Sequence, residues 1–246
     1  MKKQLLAILL LVSPAFALAS SGDIHLDHAN IDPTNKDSLQ RGAKIFVNYC
    51  MGCHSAKYQR YNRLARDLGM REEDVIENLM FTGEKTGDQM DIAMTSAMGK
   101  KWFGAAPPDL TLVTRVRGAD WVYTYLRTFY QDASRPFGVN NQVFDNVGMP
   151  NVLWQLQGVQ NAVYKTVTDD EGHEHQVLER LELVEAGAQS AEDFDATVRD
   201  LVNFLAYMGE PVKLQRQSLG IKVMLFLLLF FVVAYLLKKE YWKDVH

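Results

Sequence analysis

The chain has two cysteines, and both lie in Cys50-Met51-Gly52-Cys53-His54, with a histidine directly after the second. Three chemistries use such a pair. A redox dithiol belongs beside a βαβ pattern, and none surrounds residues 40–60. Structural zinc needs four close ligands. The other histidines offer no second pair: His25 and His28 sit in a polar N-terminal stretch, His173 and His175 in an acidic one, and all four read as solvated. What remains is c-type haem attachment. The two thiols add to the vinyl groups on one edge of a porphyrin, and His54 swings under the ring to offer nitrogen to iron. The ring then becomes part of the core, and the chain has to fold around it.

The ends of the chain bound where this happens. Lys2 and Lys3, the apolar run Leu5–Val12, Pro14 and the small-x-small site Ala17-Leu18-Ala19 read as a secretory leader over residues 1–19. A second apolar run, Leu219–Leu237, approaches the ~20 residues that a membrane-spanning helix needs. Lys222 can snorkel, and Tyr235, Tyr241 and Trp242 with Lys238, Lys239 and Lys243 suit the far interface. The expected layout is an exported haem domain at 20–217, a transmembrane helix at 218–238 and a cytoplasmic tail at 239–246. That places the chain in a bacterial inner membrane with its haem domain in the periplasm. The exported part holds eight more acidic than basic side chains, and no basic cluster points to nucleic acid.

Local patterns place the motif on helices. Residues 37–50 read as a helix running into it, with Asp37 as N-cap, Gln40 completing a capping box, and Gly42 and Phe46 on one face. Ser190 caps a second helix, whose stripe is Phe194, Val198, Leu201, Leu205 and Met208 and which ends at Gly209 and Pro211. Met90, Met94 and Met98, four apart, read as a packing stripe on a third. Val163–Val184 reads as a β-hairpin turning at Asp169–Gly172, flanked by Glu174, Glu179, Glu182 and Glu185. Met149 sits in Gly148-Met149-Pro150, a loop by composition. The fold class is therefore mainly α: a cytochrome c-like haem domain with a small β-hairpin insertion and one C-terminal transmembrane helix.

Arg41-Gly42, "CHSAKY" across the motif, "PPDL" at Pro107–Leu110, "NVGMP" at Asn146–Pro150 and "YMGEP" before the apolar end occur in that order. With a C-terminal span, this set resembles the cytochrome c1 family, the haem subunit of the bc1 complex (ubiquinol–cytochrome c reductase). The resemblance covers most of the chain after the leader. It implies one haem c bonded covalently to Cys50 and Cys53, with His54 and Met149 as axial iron ligands; Met90, Met94 and Met98 are the rivals for the sixth position. It also implies an arginine paired with a haem propionate, which maps to Arg117 with Arg115 as competitor. The rigid Pro107-Pro108 turn can set a backbone carbonyl, that of Pro108, against the second nitrogen of His54.

The implied function is electron relay as a subunit of the reductase, without a catalytic site of its own. Electrons would come from the Rieske iron–sulfur protein and leave to a soluble cytochrome c, with cytochrome b as membrane neighbour in a dimeric complex. The acidic hairpin offers a docking surface for a basic cytochrome, or is simply a solvated face. A free-standing tethered carrier is the alternative. A haem peroxidase or ligand sensor would need an open iron.

Overall fold

The computed structural model describes residues 24–168 and 172–244; the leader assigned to residues 1–19 and the turn residues Asp169, Asp170 and Glu171 lie outside them. Helix α1, Lys36–Ile45, is capped by Asn35, whose side chain accepts the N–H of Ser38 at 3.1 Å. The expected cap, Asp37, lies instead in the first turn, where its charge meets the positive end of the helix dipole. Gln40 closes no capping box and donates to the carbonyl of Leu68 at 3.0 Å. Beyond Ile45 the helix widens into a π-turn, Phe46–Cys50, a distortion that concentrates at functional sites.

Strand β1, Ala56–Arg60, leaves the motif, followed by α2, Tyr61–Leu68, and α3, Glu72–Asn78. Strand β2, Gln89–Met90, pairs antiparallel with β1. Next come α4, Ser96–Phe103; α5, Val113–Arg117; and α6, Ala119–Arg127. Strands β3, Phe129–Gln131, and β4, Val139–Asn141, form a second antiparallel pair. After the short α7, Trp154–Gln157, a long hairpin joins β5, Gly158–Thr168, to β6, Glu174–Ala186. Helices α8, Ala191–Gly209, and α9, Lys213–Tyr241, complete the order. The hairpin begins five residues before the expected Val163. The three methionines share no helix: Met90 pairs with Ala56 in the β1–β2 ladder, Met94 lies outside regular structure, and Met98 falls in the first turn of α4.

The core is the crossing of α1 and α8. Ser190 caps α8 by accepting the N–H of Asp193 at 3.1 Å, and the whole expected stripe from Phe194 to Met208 is buried. At the contact, Phe46 and Phe204 rings sit 5.8 Å apart. Gly42 makes the crossing possible: a Cβ there would lie 2.1 Å from the Asp200 carbonyl oxygen and 2.7 Å from Phe204 Cβ. Its neighbour Arg41 grips the Asp200 carboxylate, with Nε at 2.5 Å and Nη2 at 3.1 Å. The Arg41-Gly42 pair therefore clamps one residue of α8 by its side chain and its backbone together.

Helix α9 is 29 residues, long and apolar enough to cross a membrane. It starts before the apolar run because the polar stretch from Lys213 to Ser218 continues the same helix.

Candidate functional site

The π-turn ends at Cys50 and leads directly into the bend that carries Cys53 and His54. Amides of Cys53 and His54 both donate to the Cys50 carbonyl, at 3.1 and 2.9 Å, which coils the five residues into one tight bend. Cys50 is 7% exposed and His54 9%. Nδ1–H of His54 donates to the Pro108 carbonyl at 2.7 Å, so the neutral ring keeps its lone pair on Nε2. Burial holds the imidazole below its ordinary pKa, against the pull of the Pro108 bond and of Asp109, and neutral pH finds it uncharged.

Asp109 fastens this arrangement. One carboxylate oxygen accepts from Ser55 Oγ and from the Lys57 amide, both at 2.8 Å. The other accepts the Thr111 amide at 2.9 Å, and the Leu110 amide donates to the Ser55 carbonyl at 2.9 Å. Burial works to raise the Asp109 pKa, yet hydrogen bonds from Thr111, Lys57 and Ser55 outweigh it and hold it low. The segment after His54 and the Pro107-Pro108 turn are thus one unit. Beside it, a cavity of about 370 Å³ is lined by Cys53, Met94, Pro107 and Asp109 among others.

A second wall comes from α6 and the loop after β4. Tyr125 Oη donates to the Met149 sulfur at 3.4 Å. The Tyr125 ring stacks on Trp121 at 5.0 Å with planes 10° apart, and Arg117 lies over Trp121 at 5.1 Å. Arg115, the competing arginine, packs its Cγ 3.3 Å from where a Cβ on Gly209 would stand, at the end of α8. Trp121 and Tyr125 pack on the buried cluster that also holds Cys50 and Met51.

The Met149 loop is built by two buried asparagines. Asn141 Oδ1 accepts the amides of Val143 and Phe144, at 2.9 and 3.2 Å, and its Nδ2 donates to the Tyr125 carbonyl at 2.7 Å. Asn140 Oδ1 accepts the Asn146 amide at 2.9 Å, and Asn146 takes the left-handed region, φ 59°.

These donors fit a c-type haem. Neither cysteine is in a disulfide. Burial, with a smaller push from Cys53, raises Cys50 to about 12, opposite to the depressed thiol of a redox pair. Among the described residues no group of three or more His, Cys, Asp or Glu side chains is placed to hold a metal ion, so a structural zinc centre has no ligand set here.

A family comparison decides among the remaining readings: the model of the Cytochrome C1 family matches residues 28–245. The chain belongs to the cytochrome c1 family. Three relatives show the breadth of the likeness. Cytochrome c1 of Allochromatium vinosum is 54% identical and covers 100% of both chains. The ammonia monooxygenase gamma subunit of Nitrosomonas europaea is 48% identical over 98% of this chain and 97% of its own. Cytochrome b/c1 of Bradyrhizobium diazoefficiens is 27% identical over 86% of this chain and 34% of its own. Membership implies a haem cofactor, electron transport and a respiratory-chain setting.

Within this cytochrome c1 fold, His54 and Pro108 are in direct contact, and Arg117 reaches the Met149 wall through Trp121 and Tyr125. Tyr125, Asp109, Asn140 and Asn141 were not singled out from the sequence. The Asp109 signal was present in "PPDL", whose acid follows the proline pair directly. The adjacent Asn140-Asn141 pair, ten residues before Pro150, was a visible sign of a built loop.

Proposed function

We propose that this chain is the cytochrome c1 of a quinol–cytochrome c reductase, with one haem c bonded through Cys50 and Cys53 and ligated by His54 and Met149. It takes single electrons from a Rieske iron–sulfur protein and passes them to a soluble c-type cytochrome. The observation that carries this reading is the commitment of His54 Nδ1 to Pro108, which leaves Nε2 as a fixed, neutral donor. A ligating histidine normally has such support.

Bound haem supplies a one-electron iron couple, and imidazole with thioether ligation holds it at high potential with no open position. The chain's own residues do the rest. The thiols of Cys50 and Cys53 tether one edge of the ring, and the Asp109 unit keeps His54 from rotating. Met149 would hold the haem iron together with His54, with Met94 as the competing methionine. Met94 shares its cavity with Pro107, on the side that supports His54, whereas Met149 sits on the Tyr125 wall; this favours Met149. Arg117, stacked on Trp121, carries its charge at the edge of that wall, where a propionate would pair with it.

Helix α9 anchors the domain in the bacterial inner membrane, with the haem domain in the periplasm and the tail in the cytoplasm. Cytochrome b is the expected neighbour in a dimeric complex, and the name of the Bradyrhizobium relative, joining b and c1, supports this. The Nitrosomonas relative favours a second reading, in which the chain serves a monooxygenase. Gentle detergent extraction followed by a reduced-minus-oxidised spectrum and haem staining of denaturing gels separates the two. Co-purification with b-type haem and a covalently stained band for this chain is the expected result. A stained chain that travels with monooxygenase subunits and without b-type haem overturns the reductase reading.

A further inference from the structure

The Met149 sulfur has a hydrogen-bond donor in place. Tyr125 Oη lies 3.4 Å from it, within the longer range that sulfur acceptors allow. The ring that carries this hydroxyl is held on several sides. It stacks on Trp121, meets Phe129 edge-on at 5.1 Å, and its own carbonyl is tied to Asn141 at 2.7 Å. Helix α6 and the Met149 loop are therefore bolted together at the residue that offers the O–H. A thioether sulfur has two lone pairs. As an axial ligand Met149 gives one to iron, and the other is free to accept.

We infer that Tyr125 sets the donor strength of Met149: its O–H binds the lone pair that iron does not take and raises the reduction potential of the bound haem. The inference rests on Met149 being the axial ligand. The hydrogen bond draws electron density from sulfur, so sulfur gives less to iron. Oxidised iron, the more electron-poor state, loses more by this than reduced iron. The O–H dipole also points its positive end at the sulfur that would donate to iron, which disfavours the extra positive charge of the oxidised state. Both effects act in the same direction. Tyr125 touches the ligand rather than the iron, so it is a positioning and tuning residue.

The test is a redox titration of the full-length membrane protein, wild type against Tyr125→Phe and Tyr125→Leu, with the near-infrared sulfur-to-iron band recorded for each. Phe keeps the ring and its stack on Trp121 but removes the hydroxyl; Leu removes both. Both variants should bind haem and keep the band. In both, the equilibrium with a fixed redox mediator should move about tenfold toward the oxidised form, a fall of ~59 mV for a one-electron couple. A Tyr125→Phe potential equal to wild type, with the band present, overturns the inference; so does a fall confined to Tyr125→Leu, which assigns the effect to ring packing. Met149→Leu distinguishes the underlying reading. If the band survives in that variant, Met149 is not the ligand, and the ligand assignment fails whatever the Tyr125 variants do.

Discussion

Adding a single methyl group at Gly42 tests how the haem domain is held together. A Cβ at this position stands 2.1 Å from the Asp200 carbonyl oxygen and 2.7 Å from Phe204 Cβ. Heavy atoms prefer ~3.5–4.0 Å, so relief requires α1 and α8 to part by roughly 1.5 Å. The neighbour that must yield is helix backbone, tied into α8 and gripped by Arg41, and it cannot swing aside as a flexible side chain would. Overpacking of this kind costs about 1–3 kcal/mol. A radial gap of ~0.5–1 Å also forfeits a quarter to a half of the dispersion well for each facing pair, and the buried Leu39, Phe46, Leu201 and Phe204 all lie near this crossing. Against these stands a gain of about 1 kcal/mol for replacing glycine by alanine in a helix. The net expectation for Gly42→Ala is destabilisation by about 2 kcal/mol, a fall in Tm of ~4–8 °C for a domain of this size. The assay is thermal unfolding of the haem-loaded protein in detergent, followed by far-ultraviolet circular dichroism. Gly87→Ala, where a Cβ meets nothing within 4 Å, is the control. An unchanged or raised Tm in Gly42→Ala, with the control also unchanged, refutes the close-approach argument.

Two further predictions concern charge. Asp67 is pushed upward by burial, but hydrogen bonds from Tyr207, Arg66 and Arg63 outweigh this and hold its pKa below the ordinary carboxylate value. A lowered folded-state pKa contributes stability that is fully present above the unfolded value of ~3.9 and is lost as pH falls through the folded one. Asp67→Asn should therefore be less stable at neutral pH and lose less on acidification below about pH 4, as read by denaturant midpoints across pH; parallel curves for variant and wild type contradict this. The acidic excess of residues 20–217 predicts that electron transfer to a basic cytochrome c slows as salt rises, in stopped-flow traces. Neutralising Asp169, Asp170 and Glu171 together should flatten that dependence; an unchanged profile moves the docking surface elsewhere.

Much of this architecture is readable because its signals are local. The α8 stripe from Phe194 to Met208 repeats at helical spacing, and Ser190 caps three residues before Asp193, as N-cap chemistry requires. The hairpin was readable from alternating β-branched and polar residues, though not the point where pairing begins at Gly158 and Ala186. The first helix shows the limit of pattern: Asn35 and Asp37 both suit a cap, and the choice fell to Asn35, whose oxygen reaches the Ser38 amide. Met90, Met94 and Met98 kept helical spacing without sharing a helix, because Met90 is drawn into the ladder opposite Ala56 and α4 begins only at Ser96, capped by Thr95. Within the site, the Cys50–His54 motif and the Pro107-Pro108 turn carry their chemistry in adjacent residues. The Asp109 contacts with Ser55 and Lys57 and the Tyr125 contact with Met149 do not. They join segments far apart along the chain, and only the packing of α6 and the asparagine-built loop brings Tyr125 to the sulfur.

The central claim is that His54 and Met149 close the two faces of one haem iron, and Met149→Lys tests it most directly. Cys50, Cys53 and His54 are untouched, so covalent loading should persist. An amine is a harder donor than a thioether and favours oxidised iron. The redox titration should show a large fall in potential, the near-infrared sulfur-to-iron band should vanish, and a Rieske donor should no longer reduce the haem. A band that persists in Met149→Lys, or that disappears in Met94→Lys instead, contradicts the account.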